Sequence, residues 1–386
     1  MDDASKEPRI FEVPVRAHGP FAFSRLYDDS QVQERTMAAT VWNMTFGTLP
    51  ILPAWAVKLN EDLITRSIFG TAAIEGSPLT EPEVSALLAA QPKPARESEK
   101  ERVILNLREA YQLAGVGGVR GGKVVAAQLS EARIQKLHET IAHGLDHDRY
   151  LPGTYRFGPV EVGDADHGGK YKPPKVSEDI QMLMARFVEW ANSDDLTRAT
   201  PAVVRAFIVH YHLALIHPFR DGNGRLARVV EAELLEQAGF RYVSLMMSNY
   251  YYEHIDDYYR AFSAAEAGKF DLTPFLVFCL DGLVHALTDI HTRVSDQVRQ
   301  LALRKYYDDL RASRETTARQ HALLLILLDD DQPFADNDLR TVARFAAWYK
   351  PVSARTMRRD LAKLLSRQLL TQPAPGTYRL NLKALG

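Results

Sequence analysis

The chain of 386 residues has one cysteine, a formal net charge of only -2 and no long apolar run. Each absence removes a class of protein. A single thiol cannot form an internal disulfide, which suits a reducing compartment. Cys279 itself lies in the apolar run "FLVFCL", the setting of a buried structural thiol rather than a nucleophile. A near-neutral balance gives no overall drive toward nucleic acid or anionic membrane, so any such tendency must be local. The opening "MDDASKEPRIFEVP" is polar and acidic, without the apolar stretch of a secretory leader. No run approaches the roughly 20 apolar residues of a membrane helix, and there is no repeat or low-complexity tract. What is present, 46% hydrophobic and 25% charged residues, is an ordinary globular composition. The length is enough for two or three domains. The expectation is a cytoplasmic protein that does not cross a membrane.

Helical periodicity dominates. Two N-terminal apolar segments end at Gly76, a helix-stop residue, and "TEPE" from Thr80 to Glu83 reads as a capping box. "QPKPARESEK" breaks the pattern near 91–99. Helices are expected around 98–114, 129–144 and 175–192, with a β-hairpin between the last two in "LPGTYRFGPVEVGDADHGGKYKPP". "AVVRAFIVHYHLALI" is apolar on nearly all sides and reads as the central buried helix. "LARVVEAELLEQAG" continues as a helix to Gly239, and two more are expected over about 251–267 and 272–300. The tail then reads helix, helix, helix and short hairpin, the order of a winged helix-turn-helix. Residues 311–386 carry thirteen Lys and Arg against seven Asp and Glu.

Two motifs invite a reading that their context refuses. "GGVRGGKV" at 117–124 begins like a phosphate-binding P-loop, but Val124 replaces the metal-binding hydroxyl and a helix rather than a strand precedes it. In "HYH", His210 and His212 point to different faces of a helix, and no Glu or Cys completes a metal set with His217. The aromatic run "NYYYEHIDDYY" at 249–259 reads equally as a packed helix face or as a base-stacking surface.

"HPFRDGNGRLAR" at 217–228 is different in kind. Pro218 ends the preceding helix and is expected to hold His217 extended, presenting its imidazole at an exposed turn. Gly222 and Gly224 allow backbone N–H groups to converge on an anion, and the helix beginning near Arg225 adds its positive end. Arg225 and Arg228, three apart, are placed to fork onto phosphate oxygens. Asp221 is a hard ligand for Mg²⁺ between two phosphates, Asn223 offers an amide to a phosphate oxygen, and Phe219 plugs the core. A base, an anion hole, a metal carboxylate and two arginines suit nucleotidyl or phosphoryl transfer.

The same twelve residues match the pattern His-x-Phe-x-(Asp/Glu)-(Gly/Ala)-Asn-(Gly/Lys)-Arg-x-x-Arg of Fic domain proteins at every specified position. The chain resembles that family elsewhere too. "GTYR", "VEV" and "YKPP" look like its flap hairpin, which pins a target segment by strand addition, with Val160, Glu161, Val162 and Tyr171 in the docking positions. "TAAIEG" at 71–76 is similar to the family's inhibitory signature, with Thr71 and Glu75 on one helix face at i and i+4. The resemblance implies a mainly α fold: a Fic-type helical bundle over 96–290 with a β-hairpin flap. It would follow an N-terminal helical region, 1–95, carrying the inhibitory motif, and precede a linker helix and winged helix-turn-helix over 291–386. It further implies transfer of AMP from ATP to a target hydroxyl, with pyrophosphate leaving. His217 resembles the general base, Asp221 the ligand of Mg²⁺ (or Mn²⁺), and Gly222, Asn223 and Gly224 the anion hole. Arg225 resembles a phosphate clamp and Arg228 the γ-phosphate partner. The adenine is expected near the tyrosines at 250–252 and 258–259, with Tyr250 and Tyr251 as candidates. Glu75 would compete for Arg228 and hold the enzyme off. Two alternatives stay open: removal of AMP from a modified target by a water that Glu75 positions, and regulation of DNA through Arg355, Arg358, Arg359, Lys363 and Arg367. The subclass often self-associates, so a homodimer is a further expectation.

Overall fold

The computed structural model describes residues 9–16, 19–90, 98–117, 128–268 and 270–384. From Gly118 on, the P-loop-like stretch lies outside them, as does most of "QPKPARESEK". The elements in chain order are β1 (Ile10–Val13), β2 (Phe21–Ser24), α1 (Asp29–Gly47), α2 (Pro53–Ile74), α3 (Glu81–Ala89), α4 (Glu99–Leu113), α5 (Glu131–Ile141) and α6 (His147–Tyr150). There follow β3 (Val162–Asp164), β4 (Gly169–Tyr171), α7 (Ser177–Ala191), α8 (Asp194–Thr197), α9 (Ala202–Ile216), α10 (Asn223–Gln237), α11 (Met247–Glu253), α12 (Ile255–Ala267) and α13 (Thr273–Ala312). The last stretch holds α14 (Ala318–Asp329), β5 (Phe334–Ala335), α15 (Asp338–Thr341), α16 (Ala343–Tyr349), α17 (Ala354–Ser366), β6 (Leu370–Ala374) and β7 (Thr377–Leu380). The mainly helical architecture agrees with the periodicity.

The chain divides into two compact units, residues 1–48 with 52–290 and residues 49–51 with 291–386. In the first, α9 is the central element, with Val204, Phe207, Ile208 and Leu213 fully buried. It packs along α10, which in turn contacts α5 and α4, while α2 lies against α11. Gly70 allows that last approach, because a Cβ there would come within 2.7 Å of the Ser248 carbonyl oxygen. Glu83 accepts from the N–H and hydroxyl of Thr80 at 2.8 Å each, tying down the start of α3.

Several expectations are corrected. The N-terminal segment opens with an antiparallel hairpin, β1–β2, which the helical reading missed. Phe23 buries fully against Phe187 and Trp190. The helix expected at 251–267 is two helices meeting at His254. In contrast to the composition reading, α13 is long and apolar enough to cross a membrane by length and composition. Its apolar residues Phe275, Leu276, Leu280, Leu283 and Leu287 are nonetheless fully buried in protein, as is Cys279.

The second unit has the order helix, strand, helix, helix, helix, strand, strand, with an antiparallel sheet ordered β5-β7-β6. Its core gathers Leu323, Leu327, Phe334, Phe345, Tyr349, Leu361 and Leu364.

Candidate active site

The turn at 217–224 is held by groups from several parts of the chain. Helix α9 ends at His217, which adopts the left-handed conformation (φ 50°, ψ 59°) and donates its N–H to the Leu213 carbonyl at 3.1 Å. This corrects the extended backbone expected before Pro218. A left-handed cap closes the last turn, and a non-glycine residue keeps it only where the surroundings over-determine it. Arg156 provides that restraint. Its guanidinium, fully buried, donates to the carbonyls of His217 (2.7 Å), Gly158 (2.6 Å), Pro174 (2.6 Å) and Ile216 (3.5 Å). One side chain thus joins the two roots of the hairpin to the turn. Burial lowers its pKa to about 10, and the carbonyls supply the partners a buried cation needs.

Phe219 plugs the core with no exposure. Its ring stacks on His138 at 3.7 Å between centroids. Gly153 donates its N–H to His138 Nδ1 (3.1 Å), so Nε2 carries the proton and donates to the Asp221 carbonyl (2.8 Å). Burial pushes His138 down to about 4. Asn223 differs from its expected role: its amide bonds both the N–H (2.9 Å) and the carbonyl (2.8 Å) of Phe219. It stiffens the turn instead of facing a phosphate. Gly222 (φ 86°) is the N-cap of α10, and the first-turn N–H groups of Asn223, Gly224 and Arg225 have no intrahelical acceptor.

His217, Gly224, Arg228 and Glu75 line one cavity of about 390 Å³ with Glu161, Val162 and Tyr171 of the hairpin. Tyr258 and Tyr259 line it as well. His217 Nδ1 contacts the Ala214 carbonyl at 3.1 Å and must therefore donate, which leaves the lone pair on Nε2. Burial lowers His217 to about 4, so the imidazole is neutral at pH 7. Arg228, 2% exposed, donates to Glu75 Oε1 at 2.5 Å and to the Thr71 carbonyl at 3.2 Å. Burial alone would raise the Glu75 pKa, but Arg228 and then Arg225 outweigh it and the net direction is down. Burial likewise opposes the charge on Arg228, and Glu75 reverses that, leaving it raised.

Glu75 reaches this position as the C-cap of α2. Gly76 (φ 81°) and Ser77 return their N–H groups to Ala73 and Ala72, the bonding of a Schellman motif. A side chain at Gly224 would collide with Glu75 Oε1. The Thr71 hydroxyl meets Tyr111 (3.1 Å), which meets Ser248 (3.2 Å).

Other expected residues lie elsewhere. Arg225 turns from the cavity, donating to Asp221 (3.0 Å) and the Tyr150 hydroxyl (3.1 Å). Arg149 holds the second oxygen of Asp221 at 2.6 Å. Tyr251 is buried against Glu231 (3.0 Å), and Tyr250 stacks on His254; neither lines the cavity, where Tyr258 and Tyr259 stand instead. Val160 is also outside the lining. His210 bonds Glu231 and Tyr258, and His212 bonds the Ser24 backbone, consistent with core histidines. No group of three or more metal-binding side chains occurs among the described residues. Asp221 is the one carboxylate of the turn, and since both its oxygens accept from arginines it would hold Mg²⁺ only on releasing Arg149 or Arg225.

Residues 128–235 match the model of the Fic/DOC family. Over that segment the chain is similar to Fic domains. The protein adenylyltransferase Fic of Drosophila ananassae is 28% identical over 228 residues, 58% of this chain and 41% of the relative. That of Drosophila willistoni is 32% identical over 167 residues, 42% of this chain and 31% of the relative. The chain thus spans less than half the length of these relatives. Among solved structures, a Fic family protein from Desulfovibrio desulfuricans aligns over 91% of this chain and 95% of its own, with TM-score 0.55 and 19% identity. Fic-1 from C. elegans (aa134–508) aligns over 70% and 74%, also at TM-score 0.55 and 19% identity. These two likenesses establish the fold. Arg156 and His138 were not singled out in the sequence, and the only signal was an arginine inside "GTYR" and a histidine on the apolar face of α5.

Proposed function

We propose that this Fic domain transfers AMP from ATP to a hydroxyl of a target protein or of the chain itself, and that Glu75 restrains it. The observation that carries the reading is the shared cavity of His217, Gly224, Arg228 and Glu75. The names of the curated relatives support the reaction class. His217 Nε2 takes the proton of the target hydroxyl. The hydroxyl oxygen attacks the α-phosphorus, the bond to the oxygen that bridges to the β-phosphate breaks, and pyrophosphate leaves. The phosphates lie at the N-terminus of α10, where unpaired N–H groups and the helix dipole favour an anion. Asp221 would hold Mg²⁺, which neutralises phosphate charge when bound. Arg228 receives the γ-phosphate once Glu75 withdraws; until then ATP sits with its α-phosphate out of line, and a small misplacement costs a large factor in rate. The adenine lies by Tyr258 and Tyr259, and the hairpin takes the target backbone along its open edge.

Incubation with α-labelled ATP tests this. Glu75→Gly should raise labelling of the chain about tenfold or more, and His217→Ala in that background should abolish it. Equal labelling of wild type and Glu75→Gly would remove the restraint from the proposal, and labelling that survives His217→Ala would remove the base.

One observation favours a second reading. Glu75 Oε2 has no hydrogen-bond partner among the described residues, and its side chain keeps 30% exposure. A water held there would hydrolyse AMP from a modified target. Release of AMP by wild type and not by Glu75→Gly would select this direction.

A further inference from the structure

The proposed chemistry draws on no residue beyond Ile290, which leaves the unit from His291 to Gly386 without a task. We propose that the solvent face of α17 docks in the major groove of double-stranded DNA, with Arg355, Arg358 and Arg359 on backbone phosphates. Helices α16 and α17 are joined by four residues, Lys350 to Ser353, the connection of a helix-turn-helix. The hairpin β6–β7 follows directly, turning at Pro375 and Gly376, and β7 lies between β5 and β6. This order places α17 as the second helix of the pair, the one that enters a groove in such motifs. Its 13 residues make a rod about 20 Å long.

The two faces of α17 differ sharply. Met357, Asp360, Leu361 and Leu364 are buried, while Ala354, Arg355, Arg358, Arg359, Ala362 and Ser366 are exposed. The exposed positions recur every three or four residues and form one stripe. That stripe has three cations, small residues on either side of them and no acid. The helix has one acidic residue, Asp360, which is turned inward and bound by Arg319 (2.6 Å) and Gln320 (2.8 Å).

The pairing of arginines narrows the row. In this unit Arg299, Arg304, Arg319, Arg344, Arg367 and Arg379 each have an acidic partner, while Arg311, Arg314 and Arg340, off this helix, have none among the described residues. Arg355, Arg358 and Arg359 have no ion-pair partner among the described residues. The row of five cations read from the sequence thus shortens to three, since Arg367 is tied to Glu315 at 2.6 Å and Lys363 is half-buried beside it. Three free guanidiniums flanked by exposed alanine and serine allow a close approach to a surface whose charges are regularly spaced and all negative. A DNA duplex is such a surface, and its phosphates supply affinity without sequence preference.

The test uses the full chain and a fluorescein-labelled mixed-sequence duplex of about 30 base pairs, followed by anisotropy between about 50 and 200 mM KCl. Binding should weaken steeply with salt. The Arg355→Ala/Arg358→Ala/Arg359→Ala variant should bind about tenfold or more weakly, and its log–log salt slope should be shallower by roughly 0.9 for each phosphate no longer neutralised, about 3 in all. The corresponding triple Lys variant should keep the slope, and the thermal melt of the Ala variant should match wild type. An absence of binding at about 50 mM KCl, an unchanged slope in the Ala variant, or equal affinity for single-stranded DNA of the same length would each overturn the proposal. A negative result leaves the AMP-transfer reading intact, because the two use different residues.

Discussion

The turn at 217–224 and the hairpin beside it line the same cavity and are built on opposite plans. In the turn, Asn223, Phe219, His138 and Arg156 are buried, and the bonds that hold it come from residues up to 83 positions away. The hairpin has three paired positions on each side, and its charges, Glu161 with Lys170 and Lys172, are exposed to solvent. Buried bonds fix atoms because leaving one unmade is expensive, whereas exposed ion pairs are screened and constrain little. On the proposed reading, the molecule spends its rigidity where a phosphorus must be aligned and leaves the edge that would take the target adaptable.

The largest break in this contrast should come from Arg156→Met, which leaves carbonyls of the turn and of both hairpin roots without a donor. A loss on the order of 3 kcal/mol is expected in urea unfolding, with Arg156→Lys recovering part of it. Asn223→Ala comes next. Losing both bonds to Phe219 should cost about 2 kcal/mol and, in a Glu75→Gly background, lower kcat for AMP transfer more than it raises KM for ATP. That split would mark a positioning role rather than simple instability.

Acid should act on the buried side alone. His138, His212 and His217 are each held near 4 by burial, against an ordinary value near 6.5. Below pH 6.5 the unfolded chain takes up protons that the folded chain refuses until about pH 4. Stability therefore rises with pH across this window and falls as pH drops through it, by a few kcal/mol in total as an order of magnitude. Unfolding midpoints measured from about pH 7 to about pH 4.5 check this, and His212→Gln should flatten the slope. The smallest effect belongs to Glu161→Ala. It should leave the urea midpoint unchanged and alter transfer to protein targets through KM only.

How much of this was legible follows from distance along the chain. The turn that brings His217, Gly224 and Arg228 to one cavity could be read because its glycines, its cations and the following helix lie within twelve consecutive residues. Glu75 could be read only because a second short motif marked it, since its partner lies 153 positions on. Arg156 and His138 had no such mark, and their meaning exists only once the chain has closed on itself. Of the tyrosines expected near the base, Tyr258 and Tyr259, beyond the helix break at His254, line the cavity, whereas Tyr250 and Tyr251 before it do not. The strands β1 and β2 were missed because four residues show too little alternation to separate from a helix turn.

Glu75 sits just past the last full turn of α2, in the part of a helix that opens most readily. Opening only the cap bonds that Glu75, Gly76 and Ser77 return to Ala72 and Ala73 takes its carboxylate off Arg228, while Thr71, at the start of that turn, stays in the buried hydroxyl chain to Ser248. On the proposed reading the restraint is therefore a leaky latch. Its resting output is set by how often one turn of helix opens, and it should climb with warming well before the fold itself gives way.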